Sequence, residues 1–150
     1  MNTENKDLVT IGRVERIDLP NWQMEGIEAK IDTGAYSSSV HCHHIKEINK
    51  DGSPYVQFNL LDPEHPDFND KLFELPVHDK REVKSSNGIG STRIFIKTII
   101  VLFGNEYQIE LSLADRSEMR FPILIGRKFL KNRFVVDVAQ KNLSLKHKAI

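Results

Sequence analysis

The sequence is short of cysteine, of net charge and of long apolar runs, and each shortage argues against a class of protein. Cys42 is the only cysteine, so no internal disulfide can form, as expected in a reducing cytoplasm. The 21 Lys and Arg residues balance 21 Asp and Glu residues, which argues against a dedicated nucleic-acid-binding protein. The longest apolar stretch, residues 99–103, is too short to cross a membrane, and the polar N-terminus lacks a signal-peptide core. We therefore expect a cytoplasmic protein that binds neither nucleic acid nor membranes.

Short strands dominate what is present. The chain has 150 residues, of which 39% are apolar, and this is enough for a single globular domain over residues 1–150. In residues 26–31, apolar and charged side chains alternate, which is typical of a half-buried strand. Further strands are predicted at residues 8–17, 55–60, 72–77, 93–103, 106–113, 123–125 and 134–138. The sequence therefore predicts an all-β fold, closer to a barrel or a sandwich than to alternating strands and helices.

Turn and loop signals separate these strands. Gly12 indicates a bend inside the first strand, and Gly104-Asn105 indicates a two-residue hairpin turn. Residues 62–70 contain two prolines without periodicity, and residues 85–91 are rich in serine and glycine, so both are predicted loops. Residues 127–132 are the one clear helical turn.

The motif that carries chemistry is Asp32-Thr33-Gly34, placed directly after the strand at residues 26–31. One interpretation is a plain turn, since Asp and Gly are common turn residues. The other is a carboxylate displayed in a cleft. The second interpretation gains support when another segment of two apolar residues and a glycine can lie beneath the motif, and Leu124-Ile125-Gly126 supplies such a segment near the C-terminus.

Three strings in this order resemble one family: "KIDTGAYSSSVHC", "VKSSNGIG" and "MRFPILIGRKFL". They are similar to the retropepsin-like aspartic peptidases known as ATP-dependent zinc proteases, which are associated with ATP-grasp glutamate ligases. The resemblance covers roughly residues 8–140. It implies a retropepsin-like closed barrel of short strands with one short C-terminal helix, a peptide or protein substrate, and an association with such a ligase.

The resemblance also implies a mechanism and assigns roles. Retropepsins use two carboxylates that share one proton, one acting as a base on water and the other as an acid. This chain has one Asp-Thr-Gly, so a catalytic pair requires a homodimer in which Asp32 of each subunit meets at a two-fold axis. Thr33 and Gly34 would support Asp32 as catalytic-site residues. The substrate-binding candidates are Ala35, Ser86, Asn87, Gly88 and Arg127, of which residues 86–88 belong to a flap.

One departure from the retroviral pattern concerns the position after Asp-Thr-Gly-Ala. Retroviral enzymes have an acidic residue there, which pairs with the arginine of the Gly-Arg motif. This chain has Tyr36, so we expect Arg127 to have another partner and the dimer interface to differ from the retroviral one.

Zinc and ATP enter only through the family's customary label, and we expect no cofactor. His41, Cys42, His43 and His44 are neighbours, but on a strand they would present two ligands to each face. His65 and His78 would have to come in from loops to complete a tetrahedral zinc site. Partly exposed strand histidines and a buried thiol are the simpler interpretation. No phosphate-binding glycine motif is present for ATP.

Three functions follow from these patterns. The first is an aspartic peptidase or amide hydrolase. Basic residues flank the flap and the second motif, which leads to the hypothesis that its substrates are glutamate-rich tails. A solvated charged surface is the alternative explanation of those residues. The second function is a catalytically silent module that binds a peptide or a ligase. The third is a zinc-dependent hydrolase that uses residues 41–44.

Overall fold

A computed structural model of the chain describes residues 8–60, 71–84, 88, 90–115 and 121–148. Within these residues, strands make up most of the regular structure, so the all-β prediction is confirmed. The strands are β1 (Val9–Gly12), β2 (Val14–Leu19), β3 (Met24–Ile31), β4 (Ser38–Lys50), β5 (Ser53–Leu60), β6 (Leu72–Pro76), β7 (Asp79–Lys84), β8 (Gly90–Leu102), β9 (Asn105–Ala114), β10 (Ile123–Ile125) and β11 (Phe134–Asp137). The helices are α1 (Arg127–Leu130) and α2 (Leu143–Lys148), with a 3-10 turn at Pro20–Trp22.

Several details differ from the sequence prediction. The chain has a second helix, α2, which lacks enough periodic residues to be recognised in the sequence. The hairpin between β8 and β9 is present, but its turn residues are Phe103 and Gly104, with φ of 53° and 77°. Two positive φ angles match the twist of the flanking strands better than the Gly-Asn turn that we predicted. The predicted loop at residues 62–70 lies outside the described residues.

Of the predicted closed barrel of short strands, the all-β class is confirmed and the closed barrel is not. Among the described residues, β1 and β11 form a separate two-stranded sheet, and β7 joins the larger sheet through β8. The described strands therefore do not form a strict barrel. In the part of the chain that the structure describes, no helix is long and apolar enough to cross a membrane.

The chain divides into two compact units, each described by itself here, and the single domain over residues 1–150 stays a prediction. The first unit contains the described residues of Met1–Ser38, Thr98–Ile109 and Phe121–Ile150. In it, β3 pairs antiparallel with β2 and parallel with β10. Alternate side chains of these strands are buried, as the period of two predicts. The buried apolar side chains of these strands are Ile17, Leu19, Met24, Ile27, Ala29, Ile31, Ile123 and Ile125.

A buried carboxylate anchors α2 in the first unit. Glu15 of β2 is completely buried, and it accepts hydrogen bonds from three main-chain N–H groups. These come from Gly12 at 2.7 Å, Ser144 at 2.9 Å and Leu143 at 3.3 Å. A buried charge is tolerated only when it is well hydrogen-bonded, and here the first turn of α2 supplies two of the three donors. Glu15 therefore determines where α2 packs.

The second unit contains the described residues of Ser39–Lys97 and Glu110–Arg120. In this unit β5 pairs antiparallel with both β4 and β6, and β7 pairs antiparallel with the first part of β8. The β4–β5 pairing shifts register between His43 and Lys46, and His44 has a φ of 56°. Such a shift is typical of a β-bulge, so the histidine-rich segment lies at an irregularity in a long strand.

Candidate active site

The candidate site lies where two parallel strands of the first unit end side by side. β3 ends at Ile31, and β10 ends at Ile125, which is its register partner. The Asp32 N–H donates to the Ile125 carbonyl at 2.8 Å, so the pairing continues one residue past β3. The second apolar-apolar-glycine segment therefore lies directly beside the Asp-Thr-Gly motif, as the spacing indicated.

The Asp32 loop is a tight turn whose acid remains accessible. The Ala35 N–H donates to the Asp32 carbonyl at 3.1 Å, and the Gly34 N–H donates to Asp32 Oδ1 at 3.1 Å. Asp32 is half-buried, while Thr33 and Gly34 are exposed. The motif is thus a turn whose carboxyl group is partly exposed, and the interpretation of a carboxylate displayed in a cleft stays a prediction.

The main chain of the second motif packs directly against the main chain of this loop. A Cβ atom on Gly126 would lie 2.5 Å from the Ser37 carbonyl oxygen and 2.7 Å from the Tyr36 carbonyl oxygen. No side chain can be placed there without moving the backbone, so glycine is required. The Gly126 N–H donates to Ser38 Oγ at 2.9 Å in a buried environment. We did not single out Ser38 from the sequence, where the only signal was a polar run entering a strand.

Arg127 makes two other contacts in place of an ion pair with an acidic residue at position 36. Its Nη1 donates to the Thr33 carbonyl at 2.9 Å. The guanidinium carbon lies 5.9 Å from the centre of the Tyr36 ring, at the outer limit of a cation–π contact. Tyr36 itself is 58% exposed. Among the described residues, a main-chain carbonyl and an aromatic ring therefore occupy the role that an acidic residue fills in retroviral enzymes.

The predicted flap falls in the second unit, and only part of it is described. β7 and β8 form its two strands, with Lys84 opposite Gly90. Gly88 is exposed and has a φ of 84°, a conformation that glycine adopts without strain. Ser86 and Asn87 lie outside the described residues. The substrate-binding role of all three stays a prediction.

An ionic cluster holds the base of the predicted flap. Arg81 donates to both carboxyl oxygens of Glu110, at 3.0 Å and 2.7 Å, and to Asp79 Oδ2 at 2.6 Å. Its guanidinium carbon lies 4.2 Å from the centre of the Phe95 ring. The hydrogen bond from Arg81 lowers the pKa of Asp79 below its ordinary value. Two hydrogen bonds between one guanidinium and one carboxylate fix the relative orientation of the two groups, so this cluster is a rigid support.

Two of the basic residues that we expected to attract acidic peptides already have acidic partners. Lys80 Nζ lies 3.1 Å from Glu47 Oε1, and Arg81 is held by Asp79 and Glu110. These pairs neutralise the charge that would otherwise bind an acidic ligand. Among the described cations, Arg127 lies closest in sequence to the second motif and is exposed.

Among the described residues, the histidine-rich segment does not assemble a set of zinc ligands. Burial raises the pKa of the Cys42 thiol to about 12, which disfavours the thiolate that binds metal. The three Nδ1 atoms face oxygen atoms: His41 at 3.2 Å from the Ala114 carbonyl, His43 at 3.2 Å from Asp115 Oδ1 and His44 at 2.9 Å from Asn59 Oδ1, so only the Nε2 atoms are left for a metal ion. Within the described ranges, no three His, Cys, Asp or Glu side chains form a group that could hold a metal ion. His65 lies outside those ranges.

Comparison with known proteins gives a consistent family. The sequence profile of the family described as "Retropepsin-like aspartic endopeptidase RimB" matches residues 10–147. Two relatives, from Shewanella pealeana and Desulfotalea psychrophila, are each named "Probable alpha-L-glutamate ligase" and are each 35% identical to this chain. The matches cover 87% and 86% of this chain, but only 28% of each relative.

A solved structure shares the fold. A crystal structure of a Legionella pneumophila protein of unknown function superposes with a TM-score of 0.73 at 30% sequence identity. The match covers 91% of this chain and 98% of that one. The retropepsin-like class predicted from the three motifs is therefore confirmed by the family profile.

Proposed function

Because this chain belongs to the family of the retropepsin-like aspartic endopeptidase RimB, we propose that it hydrolyses peptide or amide bonds as a homodimer. The observation that carries the proposal is the pairing of β10 with β3, which supports the Asp32 loop beside Gly126. Asp32 is half-buried at the end of a strand and is followed by the exposed residues Thr33 and Gly34, where a second copy of the loop can approach it.

The proposed chemistry uses one Asp32 from each subunit. Two carboxyl groups a few ångströms apart cannot both stay ionised, so the pair holds one proton. The ionised carboxylate takes a proton from the attacking water, and the protonated carboxyl donates its proton to the carbonyl oxygen of the substrate, which gives a tetrahedral diol. The carboxyl that gained a proton from water then gives it to the leaving nitrogen, a diol hydroxyl returns its proton to the other carboxylate, and the C–N bond breaks. Apparent pKa values belong to the pair rather than to either residue. The Gly34 N–H donates to Asp32 Oδ1 and so helps to orient the carboxyl group.

We propose glutamate-rich tails as the substrate class. The relatives that contain a region similar to this chain are named as glutamate ligases. A hydrolase associated with such a ligase would remove the glutamate residues that the ligase adds. Within the described residues, the exposed side chain of Lys128 supplies positive charge next to the Asp32 loop, because the Lys128 N–H donates to the Tyr36 carbonyl at 3.0 Å. Opposite charge on a substrate favours its encounter with such a site.

A second candidate function is a catalytically silent module that binds a peptide or a ligase. The observation that favours it is the 28% share of the ligase relatives that this chain spans, because a region within a larger protein can serve it by binding alone. This candidate predicts that no dimer is needed.

The test combines solution mass with one substitution. We expect sedimentation equilibrium to give a dimer, and Asp32→Asn to lower turnover of a glutamate-rich peptide roughly a thousandfold while the circular dichroism spectrum is unchanged. The matched control is a peptide with glutamine in place of glutamate. Full turnover by the Asn variant would reject the aspartic mechanism. A stable monomer that binds the peptide without cleaving it would favour the second candidate.

A further inference from the structure

The first residues of α1 hold three carbonyl groups of the Asp32 loop. The Arg127 N–H donates to the Ala35 carbonyl at 2.8 Å, and the Lys128 N–H donates to the Tyr36 carbonyl at 3.0 Å. The third carbonyl, that of Thr33, receives a side-chain hydrogen bond from Arg127 Nη1 at 2.9 Å. Any residue except proline can supply the two main-chain bonds, whereas the third comes from the arginine side chain.

That third bond acts on a peptide group that also touches the acid. The Thr33 carbonyl and the Gly34 N–H belong to the same planar peptide unit, and in a trans peptide they point in opposite directions. Arg127 holds the oxygen at one end, while the N–H at the other end donates to Asp32 Oδ1 at 3.1 Å. A rotation of this peptide would release both hydrogen bonds together.

We propose that Arg127 is a positioning residue, which orients the Thr33–Gly34 peptide so that its N–H faces the Asp32 carboxylate. The consequence for catalysis rests on the proposed function. A guanidinium hydrogen bond to a carbonyl polarises the peptide and strengthens its N–H as a donor. Arg127 therefore acts on Asp32 through one peptide unit without touching the substrate.

Tyr36 fits this assignment. Its ring lies 5.9 Å from the guanidinium carbon and limits where the guanidinium can move. An acidic residue at this position would compete with the Thr33 carbonyl for the same donors, because a carboxylate is the stronger acceptor. The aromatic residue leaves Arg127 Nη1 available to the main chain.

The alternative role, in which Arg127 binds the substrate directly, gives a different kinetic result. Loss of a contact made equally in the ground state and the transition state raises KM and leaves kcat unchanged. Loss of positioning lowers kcat, because the reacting groups are displaced from their productive geometry.

The test compares Arg127→Met with Lys131→Met, which removes an exposed cation one turn further along the chain. In Arg127→Met we expect kcat to fall roughly 10- to 100-fold, with KM changed less than about threefold. Lys131→Met should keep the wild-type values. A rise in KM at constant kcat would overturn the positioning role.

A second measurement does not depend on activity. In an amide hydrogen-exchange experiment followed by NMR, we expect the Gly34 amide of Arg127→Met to exchange roughly fivefold to tenfold faster than in wild type, and that of Lys131→Met to exchange at the wild-type rate. Unchanged exchange in Arg127→Met would refute the inference even if the protein cleaves no substrate. If the wild-type protein cleaves no substrate but Gly34 exchanges faster in Arg127→Met, the inference stands and the proposed function is rejected. If Arg127→Met fails to fold, Arg127→Lys, which keeps the charge and loses the planar group, replaces it in both measurements.

Discussion

Glu15 offers the sharpest test of how this fold is held together. The residue is completely buried, and its carboxylate accepts hydrogen bonds from Gly12, Leu143 and Ser144. Glu15→Ala removes the acceptor, so the three main-chain N–H groups lose their protein partner and can hydrogen-bond only to water. At 3.3 Å the Leu143 bond is long, so two bonds carry most of the effect.

The magnitude follows from these contacts. Hydrogen bonds to a charged group contribute about 1.5–3 kcal/mol each, and partial rehydration at the start of α2 offsets some of the loss. We expect the free energy of unfolding to fall by about 3 kcal/mol, a large share of the roughly 5–15 kcal/mol of a typical domain. Urea denaturation followed by circular dichroism should show the midpoint lowered by roughly 1–2 M.

Two further variants isolate the cause. Glu25→Ala removes an exposed carboxyl from neighbouring β3 and should change stability by less than about 0.5 kcal/mol. Truncation after residue 142 removes the Leu143 and Ser144 donors, so Glu15→Ala should cost less in that background. If Glu15→Ala is as stable as Glu25→Ala, or if its cost is undiminished in the truncated chain, the anchoring role of Glu15 is refuted.

Two other predictions concern ionisation in the second unit. Burial raises the pKa of Cys42 to about 12, so the thiol of the native protein should resist Ellman's reagent at mildly alkaline pH and react once urea unfolds the chain; fast labelling of the native state would contradict this. The hydrogen bond from Arg81 lowers the pKa of Asp79, so the stabilisation that this contact provides is complete above the ordinary value of 3.8 and is lost as the pH falls through the lower folded pKa. A carboxyl-detected NMR titration should find the Asp79 midpoint below 3.8 in wild type and nearer to it in Arg81→Met, whereas equal midpoints would show that Arg81 is not the cause.

The strands show which elements a local sequence pattern can predict and which it cannot. β3 and β10 were predicted closely because alternating side chains and short β-branched runs encode a strand within a few residues. β4 was missed as an element. Its first half is almost entirely buried and lacks alternation, and its middle contains polar histidines and a bulge. Burial on both faces removes the period that identifies a strand.

The candidate site divides in the same way. Asp32, Gly34 and Gly126 were recognisable because the motif chemistry depends on adjacent residues. The partner of Arg127 was not, although the absence of an acid at position 36 showed that a substitute was needed. The substitute is a main-chain carbonyl, a group that every residue carries, so residue identity cannot reveal it.

By itself the sequence determined the all-β class, the acid at the end of a strand, the second glycine motif and the family to which they belong. Tertiary structure alone decided which groups those motifs meet. Arg127 and Thr33 are 94 residues apart in the chain, and Glu15 and Ser144 are 129 apart. Local periodicity is written in neighbouring side chains, whereas such contacts exist only after the strands have brought distant main-chain donors and acceptors together.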